Sequence, residues 1–286
     1  MRTGVNLSRS TVHYFKHNDM RDLKNIMETI AKDDKKFKRD STQQRRFIVT
    51  EGLFQTTGKV CPLPELVELK NKYCYRILLD ETLSFGTIGN TGHGVTEHYG
   101  LKTSDIDVIM MSMDCALASI GGGCVGVKET IDHQRLSGAG YCFSASTPPF
   151  LFCGALETLK TLEAKGEDLI LSMRSNARVL IDGINAIPHL QVISSEDSPV
   201  IITTLVNPSD YDNDMELMKE ISYKCLHKGV ALIVPEYDRV LLPAMKRSNH
   251  SLAASLRINA SASLTNADMK KVVKELKAAV VQVFGR

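Results

Sequence analysis

The chain has 286 residues, of which 43% are hydrophobic and 24% are charged, and its formal net charge is +2. This composition excludes an intrinsically disordered protein and gives no reason to expect nucleic acid or an anionic surface as a partner. The seven cysteines form no CxxC pair and no regular spacing, which indicates neither a zinc site nor a disulfide framework.

The sequence predicts no targeting or membrane-spanning segment. No apolar window is long enough to cross a bilayer, and the first residues lack the apolar core of a signal peptide. The charge of the basic run at residues 35–39 is expected to be balanced locally by the aspartates at positions 33, 34 and 40, and we interpret the run as a solvated loop.

The first half of the chain alternates short apolar strands with amphipathic helices. The pattern predicts a helix at residues 17–31, a strand at 46–50, a helix opened by Pro62 and Pro64, and strands at 75–79 and 107–111. Short links between such elements are typical of an α/β fold with a mostly parallel sheet and helices on both faces.

The second half begins with a long helical region after Pro148-Pro149, which Gly166 is expected to divide into two helices. Beyond residue 188 the pattern changes to that of a smaller α+β unit, with apolar segments at 192–193, 200–206, 230–234 and 255–259 and helices at about 215–227 and 266–284. We therefore expect a large domain at 1–150, connecting helices at 151–188 and a small domain at 189–286.

A glycine-rich turn follows the strand that ends in Asp80 and Glu81. Its glycines, at positions 86, 89, 92 and 94, match neither the G-x-G-x-x-G dinucleotide signature nor a P-loop, so nucleotide binding is not favoured. A carboxylate at the carboxyl end of such a strand can partner a ring nitrogen or a cation. The alternative for Asp80 and Glu81 is a solvated strand end or a helix cap.

Other candidate chemical groups nearby are weaker. His93 and His98 are five residues apart, with Glu97 between them, and this is not the i, i+4 pair of a helical zinc site, so a surface loop is favoured and no metal is expected. Cys115 has no base close to it in sequence, and its default interpretation is a small buried hydrophobic residue.

These motifs resemble those of a known family. Residues 80–94 (DETLSFGTIGNTGHG) resemble the D-E-A-H-S-x-G-x-x-G-x-x-G-x-G segment of the α-oxoamine synthases, fold-type-I enzymes that depend on pyridoxal phosphate (PLP). Residues 107–122 are similar to the strand and lysine loop of that family. Residues 115–122 (CALASIGG), 131–138 (IDHQRLSG) and 140–146 (GYCFSAS) resemble its lysine-free branch, the first long-chain-base subunits of serine palmitoyltransferases.

The resemblance extends over about residues 4–285 and implies the fold. It indicates part of a fold-type-I large domain followed by a smaller C-terminal α+β domain. Relatives carry a membrane-anchoring segment and the opening part of the large domain ahead of the point where this chain begins, so the chain is expected to be N-terminally truncated.

Two positions depart from the pattern of the catalytic family members. The resemblance places Cys115 where those members carry the lysine that holds PLP, and the sequence has no lysine between Lys102 and Lys128. A thiol cannot hold the cofactor as a protonated imine. Leu83 stands where the family has a histidine beside the cofactor ring, and it cannot hydrogen-bond the ring oxygen. The chain is therefore expected to contain no catalytic residue.

Four further positions match residues with known roles in the family. By resemblance, Asp80 matches the aspartate that pairs with the pyridine nitrogen, and Arg257 matches an arginine that binds the substrate carboxylate. Both are expected to be relics with structural roles. Ser144 and Ser146 match a loop that reaches the partner subunit's cofactor phosphate, and their hydroxyls are expected to serve there although Ala145 replaces a threonine.

The resemblance implies the non-catalytic subunit of a serine palmitoyltransferase. A lysine-bearing partner subunit would hold PLP covalently, and the heterodimer would condense L-serine with palmitoyl-CoA to 3-ketosphinganine on the cytosolic face of the endoplasmic reticulum membrane. This chain would reach the membrane through its missing anchor or its partner. Two alternatives remain: a regulatory or scaffold fragment that binds the catalytic subunit without supporting turnover, and an active homodimeric α-oxoamine synthase that uses a lysine elsewhere.

Overall fold

The computed structural model describes residues 1–236 and 253–285. The chain forms two compact units. The first comprises Met1–Leu53 and Cys61–Gly166, and the second comprises Phe54–Val60 and Glu167–Arg286. The domain limits expected from the sequence, near residues 150 and 188, stay a prediction.

The first unit is built on a four-stranded sheet with the order β1-β2-β3-β4. Its strands are β1 (Phe47–Glu51), β2 (Arg76–Asp80), β3 (Val108–Ser112) and β4 (Gly122–Gly126). The first three strands run parallel, and β4 is antiparallel to β3. The mostly parallel sheet predicted from the sequence is therefore confirmed.

The first unit also contains six short or medium helices and the start of a seventh. These are α1 (Arg2–Leu7), α2 (Met20–Lys36), α3 (Leu63–Tyr73), α4 (Val95–His98), α5 (Lys128–Ser137), α6 (Ala139–Cys142) and α7 (Pro149–Asn185). Pro62 precedes α3 and Pro64 lies in its first turn, as the sequence predicts, because that turn has no intrahelical use for the missing N–H group.

Alternation along the strands forms the core of this unit. Ile48 on β1 and Ile77 and Leu79 on β2 are buried, as are Leu63 and Leu66 on α3. Burial of each such side chain contributes about 1.5–3 kcal/mol. The ammonium group of Lys70 lies 2.7 Å from the Asp107 carboxylate, which also accepts the Ile77 N–H at 2.9 Å, so that α3, β2 and the start of β3 are tied together.

Helix α2 is longer than predicted and extends into the charged run. Asp19 caps its first turn by accepting the N–H groups of Arg21 and Asp22. Asp34, expected to balance the charge of the basic run, is instead only 5% exposed and accepts two hydrogen bonds from Arg46, at 2.6 and 2.7 Å. The ion pair fastens the end of α2 to the residue before β1.

Gly166 does not divide the long helix, contrary to the sequence prediction. Helix α7 runs without interruption from Pro149 to Asn185. A Cβ atom at position 166 would lie 2.5 Å from the carbonyl oxygen of Thr91. Glycine is used here because the helix packs closely against the glycine-rich turn, and a helix interior tolerates one glycine at a cost of about 1 kcal/mol.

In its described residues, the second unit contains a three-stranded antiparallel sheet, β5-β6-β7, the C-terminal part of α7 and two further helices. The strands are β5 (Leu190–Val192), β6 (Val200–Leu205) and β7 (Ser255–Asn259), and the helices are α8 (Tyr211–Leu226) and α9 (Asn266–Phe284). Its core includes Leu180, Ile201, Met218, Leu256 and Leu276, all buried. This is the smaller α+β unit that the sequence predicts.

Two details of the second unit bear on the predictions. The Thr265–Asp268 capping box of α9 is present, with the Thr265 N–H donating to Asp268 at 2.9 Å. The apolar segment at 230–234 contributes a single isolated bridge, between Ile233 and Arg257, instead of a full strand.

Within the described residues, no helix has both the length and the apolar character needed to span a membrane.

Candidate functional site

The carboxyl ends of the three parallel strands meet at one edge of the first sheet. Glu51 is in register with Asp80, and Asp80 with Met110. Beyond the strands, the Gly52 N–H donates to the Asp80 carbonyl oxygen at 2.8 Å, and the Glu81 N–H donates to the Met110 carbonyl oxygen at 2.8 Å. Ligand sites of α/β sheets lie at such edges.

Asp80 lies at this edge, where the sequence predicts it. It is half-buried, and its Oδ1 atom accepts the Thr82 N–H at 2.9 Å. The Thr82 hydroxyl in turn accepts the Ser112 N–H at 3.0 Å, which joins the exits of β2 and β3. Asp80 thus shapes the turn that leaves its own strand.

Glu81 is buried beneath the glycine-rich turn and holds it in place. Its carboxylate accepts the Val95 N–H, at 3.1 and 3.2 Å to its two oxygens, and the Ser84 hydroxyl. Burial raises the pKa of Glu81, although the hydrogen bonds from Ser84, Val95 and Thr96 act in the opposite direction. The sequence leaves open whether Glu81 partners a ligand or caps a helix. The structure favours the helix cap, because Glu81 accepts the N–H of Val95, the first residue of α4.

Glu97 holds the outer part of the same turn. Its carboxylate accepts the His93 N–H at 2.9 Å, and from Thr91 both the N–H at 3.0 Å and the hydroxyl at 2.8 Å. Partial burial acts to raise the pKa of Glu97, but these hydrogen bonds outweigh it and the pKa is lowered. Glu97 therefore stabilises the turn as an ionised acceptor.

The two histidines do not form a metal site. The His93 side chain is exposed and lies 3.9 Å from Glu97, whereas the His98 ring packs edge-on against Tyr99. No cluster of three or more metal-ligating side chains occurs in the described parts of the chain.

The glycines at 86 and 94 permit the close approach of side chains to the turn. Both have positive φ, +76° at Gly86 and +86° at Gly94. A Cβ atom would come within 2.3 Å of the Ala116 side chain at Gly86 and within 2.5 Å of a Glu81 carboxylate oxygen at Gly94. The turn therefore packs directly against the loop that carries Cys115.

Cys115 lies in a tight loop between β3 and β4, and its side chain is exposed. The default interpretation of a buried hydrophobic residue is therefore wrong, because the neighbouring Leu117 fills the interior instead. The loop is closed by the Met113 N–H donating to the Gly121 carbonyl at 3.0 Å, and the Ser119 hydroxyl fixes it to α7 by donating to the Leu151 carbonyl at 2.8 Å.

Three other predicted positions, Leu83, Ser144 and Ser146, lie in loops of the first unit. Leu83 is half-buried in the turn, where its carbonyl accepts the Thr87 hydroxyl. Ser144 and Ser146 are exposed in the segment between α6 and α7. The adjacent Thr147 hydroxyl lies close to Gly121, at 3.4 Å from the position of a Cβ there, so this segment passes the end of the Cys115 loop.

Arg257 belongs to the second unit. It lies on β7, where its backbone pairs with Ile202 on one side and Ile233 on the other. Its Nε atom is buried and has no hydrogen-bond partner among the described residues.

Sequence reasoning missed the specific roles of Glu81, Glu97 and Gly166. The two carboxylates bind N–H groups 14 and six residues away in the chain, and Gly166 faces a turn that lies far from it in sequence. The sequence did show a cluster of glycines with acidic residues near it. It did not show which groups those acids would bind, because that depends on the path of the turn.

Comparison with known proteins identifies relatives over almost the whole chain. The model of the family "Aminotransferase class I and II" matches residues 1–276. Long chain base biosynthesis protein 1c of Oryza sativa subsp. japonica is 38% identical, over 99% of this chain and 57% of the rice protein. Serine palmitoyltransferase 1 of Dictyostelium discoideum is 34% identical, over 97% and 57%. The chain thus spans little more than half the length of these relatives.

Solved structures give the same fold. The serine palmitoyltransferase of S. paucimobilis, with a bound PLP-myriocin aldimine, superimposes with a TM-score of 0.78 at 24% identity, over 95% of this chain and 61% of that chain.

Proposed function

Because this chain belongs to the aminotransferase class I and II family, we propose that it is the non-catalytic, lysine-free subunit of a serine palmitoyltransferase. In that role it supports the condensation of L-serine with palmitoyl-CoA to 3-ketosphinganine, the first step of sphingolipid biosynthesis. The names of its relatives, long chain base biosynthesis protein 1 and serine palmitoyltransferase 1, support the proposal.

The observation that carries the proposal is the loop between β3 and β4. This loop is held firmly against the glycine-rich turn and α7, yet it presents the exposed thiol of Cys115. PLP reacts with its enzyme through a primary amine, and residues 103–127 contain no lysine. The residues present therefore do not fit a covalently held PLP.

The other residues that match the family's site support a structural contribution of this chain to a site shared with the partner subunit. Asp80 keeps its place at the strand edge, where Thr82 fixes its carboxylate, and Leu83 offers an apolar side chain in the same turn. We propose that Asp80 and Arg257 are relics with structural roles. We propose further that Ser144 and Ser146, which are exposed, turn toward the partner subunit's PLP phosphate.

An exposed apolar surface supports the need for a partner. Residues 120–156 of the first unit carry many exposed large hydrophobic side chains, of which Phe143 is 90% exposed. We call this set the apolar segment; its exposed members are Ile120, Val125, Val127, Leu136, Tyr141, Phe143, Phe150, Phe152 and Leu156. Exposure of so many large apolar groups in one segment marks an interaction surface. We propose that the lysine-bearing catalytic subunit covers it.

Localisation follows from the same proposal. From the resemblance to long-chain-base subunits, we propose that the heterodimer lies on the endoplasmic reticulum membrane with its site facing the cytosol. Covalently bound PLP belongs to the partner, and L-serine and palmitoyl-CoA meet at the shared site.

The proposal is tested by expressing this chain with and without a lysine-bearing serine palmitoyltransferase subunit, purifying each and measuring condensation of serine with palmitoyl-CoA. We expect activity only in the complex, and more than the catalytic subunit has alone. Activity of the isolated chain would overturn the proposal and favour a homodimeric α-oxoamine synthase.

A second candidate is a regulatory or scaffold fragment that binds the catalytic subunit without supporting turnover. The exposed apolar segment is compatible with it, because a surface that binds the catalytic subunit does not by itself support turnover. Co-purification of an inactive complex, while a full-length relative of this chain forms an active complex with the same partner, would select this alternative.

A further inference from the structure

The end of α2 presents an aromatic ring among cations. Phe37, the residue that ends the helix, is 55% exposed. The Lys36 ammonium and the Arg39 guanidinium lie 5.4 and 4.9 Å from the centre of its ring. We call this surface the basic tip; it consists of Phe37 and the exposed cations Lys32, Lys35, Lys36, Lys38, Arg39 and Arg45.

The charge of the basic tip is not cancelled locally, contrary to the balance expected from the sequence. Among residues 32–45, Asp33 and Asp40 are the two exposed acids against six exposed cations. The third acid, Asp34, is buried and paired mainly with Arg46, through two hydrogen bonds, whereas the Arg39 guanidinium lies farther from it, at 3.9 Å. The near-neutral charge of the whole chain therefore conceals a cationic patch.

The backbone of the basic tip indicates that its charges are not required by the fold. The Arg39 N–H donates to the Asp34 carbonyl and the Lys38 N–H donates to the Lys35 carbonyl, which is the usual helix-terminating pattern. Lys38 occupies its left-handed position, with φ of 51°, which is the position that favours glycine. A lysine therefore stands where the backbone alone would favour glycine.

The helix dipole accounts for only part of this arrangement. Cations in the last turn, here Lys35 and Lys36, are stabilised by the carbonyl end of a helix. Lys38, Arg39 and Arg45 lie beyond that turn, and the exposed ring of Phe37 gains nothing from the dipole.

We propose that the basic tip docks this chain on an anionic phospholipid surface. The ring of Phe37 enters the headgroup layer, and the surrounding cations contact lipid phosphates and carboxylates. Aromatic residues flanked by cations are suited to the membrane interface, which is apolar on one side and charged on the other. A single-stranded nucleic acid is favoured less, because it needs a groove with several stacking rings, and the basic tip offers one. This inference does not depend on the proposed function.

Flotation of the purified chain with lipid vesicles tests the proposal. We expect binding to equimolar phosphatidylcholine and phosphatidylserine, weakened by salt, and much less binding to phosphatidylcholine alone. Each cation near such a surface is worth about 1 kcal/mol, or about fivefold in partitioning. The triple variant Lys35→Gln, Lys36→Gln, Lys38→Gln should therefore bind about a hundredfold more weakly, and Phe37→Ala severalfold more weakly.

Lys38→Gly separates docking from folding. Glycine suits the left-handed backbone, so the melting temperature of this variant should rise, whereas its vesicle binding should fall about fivefold. A loss of binding in a more stable protein cannot be attributed to misfolding.

Matched controls lie on the second unit. Lys270→Gln, Lys274→Gln, Lys277→Gln removes three exposed lysines from α9, and Leu226→Ala removes an exposed apolar side chain from α8. Both should leave vesicle binding nearly unchanged. Equal losses in the α9 and basic-tip variants, full binding by the basic-tip triple variant, or binding to RNA but not to anionic vesicles would each overturn the proposal.

Discussion

Two buried carboxylates, Glu81 and Asp34, illustrate how single residues hold the first unit together. Glu81 accepts hydrogen bonds from a hydroxyl and from backbone N–H groups, whereas Asp34 is paired with the guanidinium of Arg46. Their pKa values move in opposite directions: burial raises that of Glu81, and the hydrogen bonds from Arg46 lower that of Asp34.

Glu81→Ala should destabilise the first unit by about 2–4 kcal/mol, because it leaves the Ser84 hydroxyl and the Val95 N–H buried without their acceptor and opens a cavity. Urea unfolding of wild type and variant measures the change. Glu163→Ala, which removes an exposed carboxylate from α7, is the control and should change the stability by less than about 0.5 kcal/mol. Equal effects of the two substitutions would show that Glu81 does not hold the turn.

Asp34 should make folding sensitive to acid. Its pKa is lower in the folded chain, so the pair contributes stability above the unfolded pKa of about 3.9 and loses it as the pH falls further through the folded value. The stability difference between wild type and Asp34→Asn should therefore be largest near neutral pH and shrink below about pH 4. Unfolding titrations across pH measure this, with the exposed Asp33→Asn as control; a pH-independent difference would contradict the ion-pair account.

At the scale of elements, the helices and strands that the sequence predicts best are those whose apolar residues recur regularly. The strands β1, β2, β3, β6 and β7 and the helices α3 and α9 occur within a few residues of their predicted positions. Glycine-rich β4 was missed, because Gly122, Gly123 and Gly126 have no strand preference and the strand exists through its pairing with β3. The fold of the family confirms the predicted fold class.

The candidate site was predictable only in its location. Asp80 and the glycine-rich turn could be placed at the strand edge, because strand ends follow from the apolar pattern. The exposure of Cys115 could not be predicted, and neither could the hydrogen bonds by which Glu81 and Glu97 hold the turn. Both depend on how the loops fold against each other.

Helix α7 offers a paired test of this packing. Alanine normally stabilises a helix interior relative to glycine by about 1 kcal/mol, and Gly154→Ala should do so, because no atom lies within 4 Å of its added Cβ. Gly166→Ala should instead destabilise, since its Cβ would meet the Thr91 carbonyl at 2.5 Å. Melting temperatures of the two variants measure the contrast, and stabilisation by both would refute the close approach of α7 to the turn.

At the scale of the whole molecule, the apolar segment is the proposed interface. Phe143→Ser with Phe150→Ser should leave the melting temperature of the chain unchanged, because both rings are exposed, and should abolish co-purification with the catalytic subunit. Leu226→Ser, on the exposed face of α8, is the control and should co-purify normally. Unimpaired assembly of the double variant would place the interface elsewhere.

The central claim, that this chain is the lysine-free subunit, is tested most directly by locating the cofactor in the complex. Borohydride reduction of the purified complex fixes PLP to the amine that holds it, and peptide mass spectrometry identifies the modified lysine. The account predicts a pyridoxyl group on one lysine of the catalytic subunit and none on this chain. A stoichiometric pyridoxyl group on any lysine of this chain would contradict it.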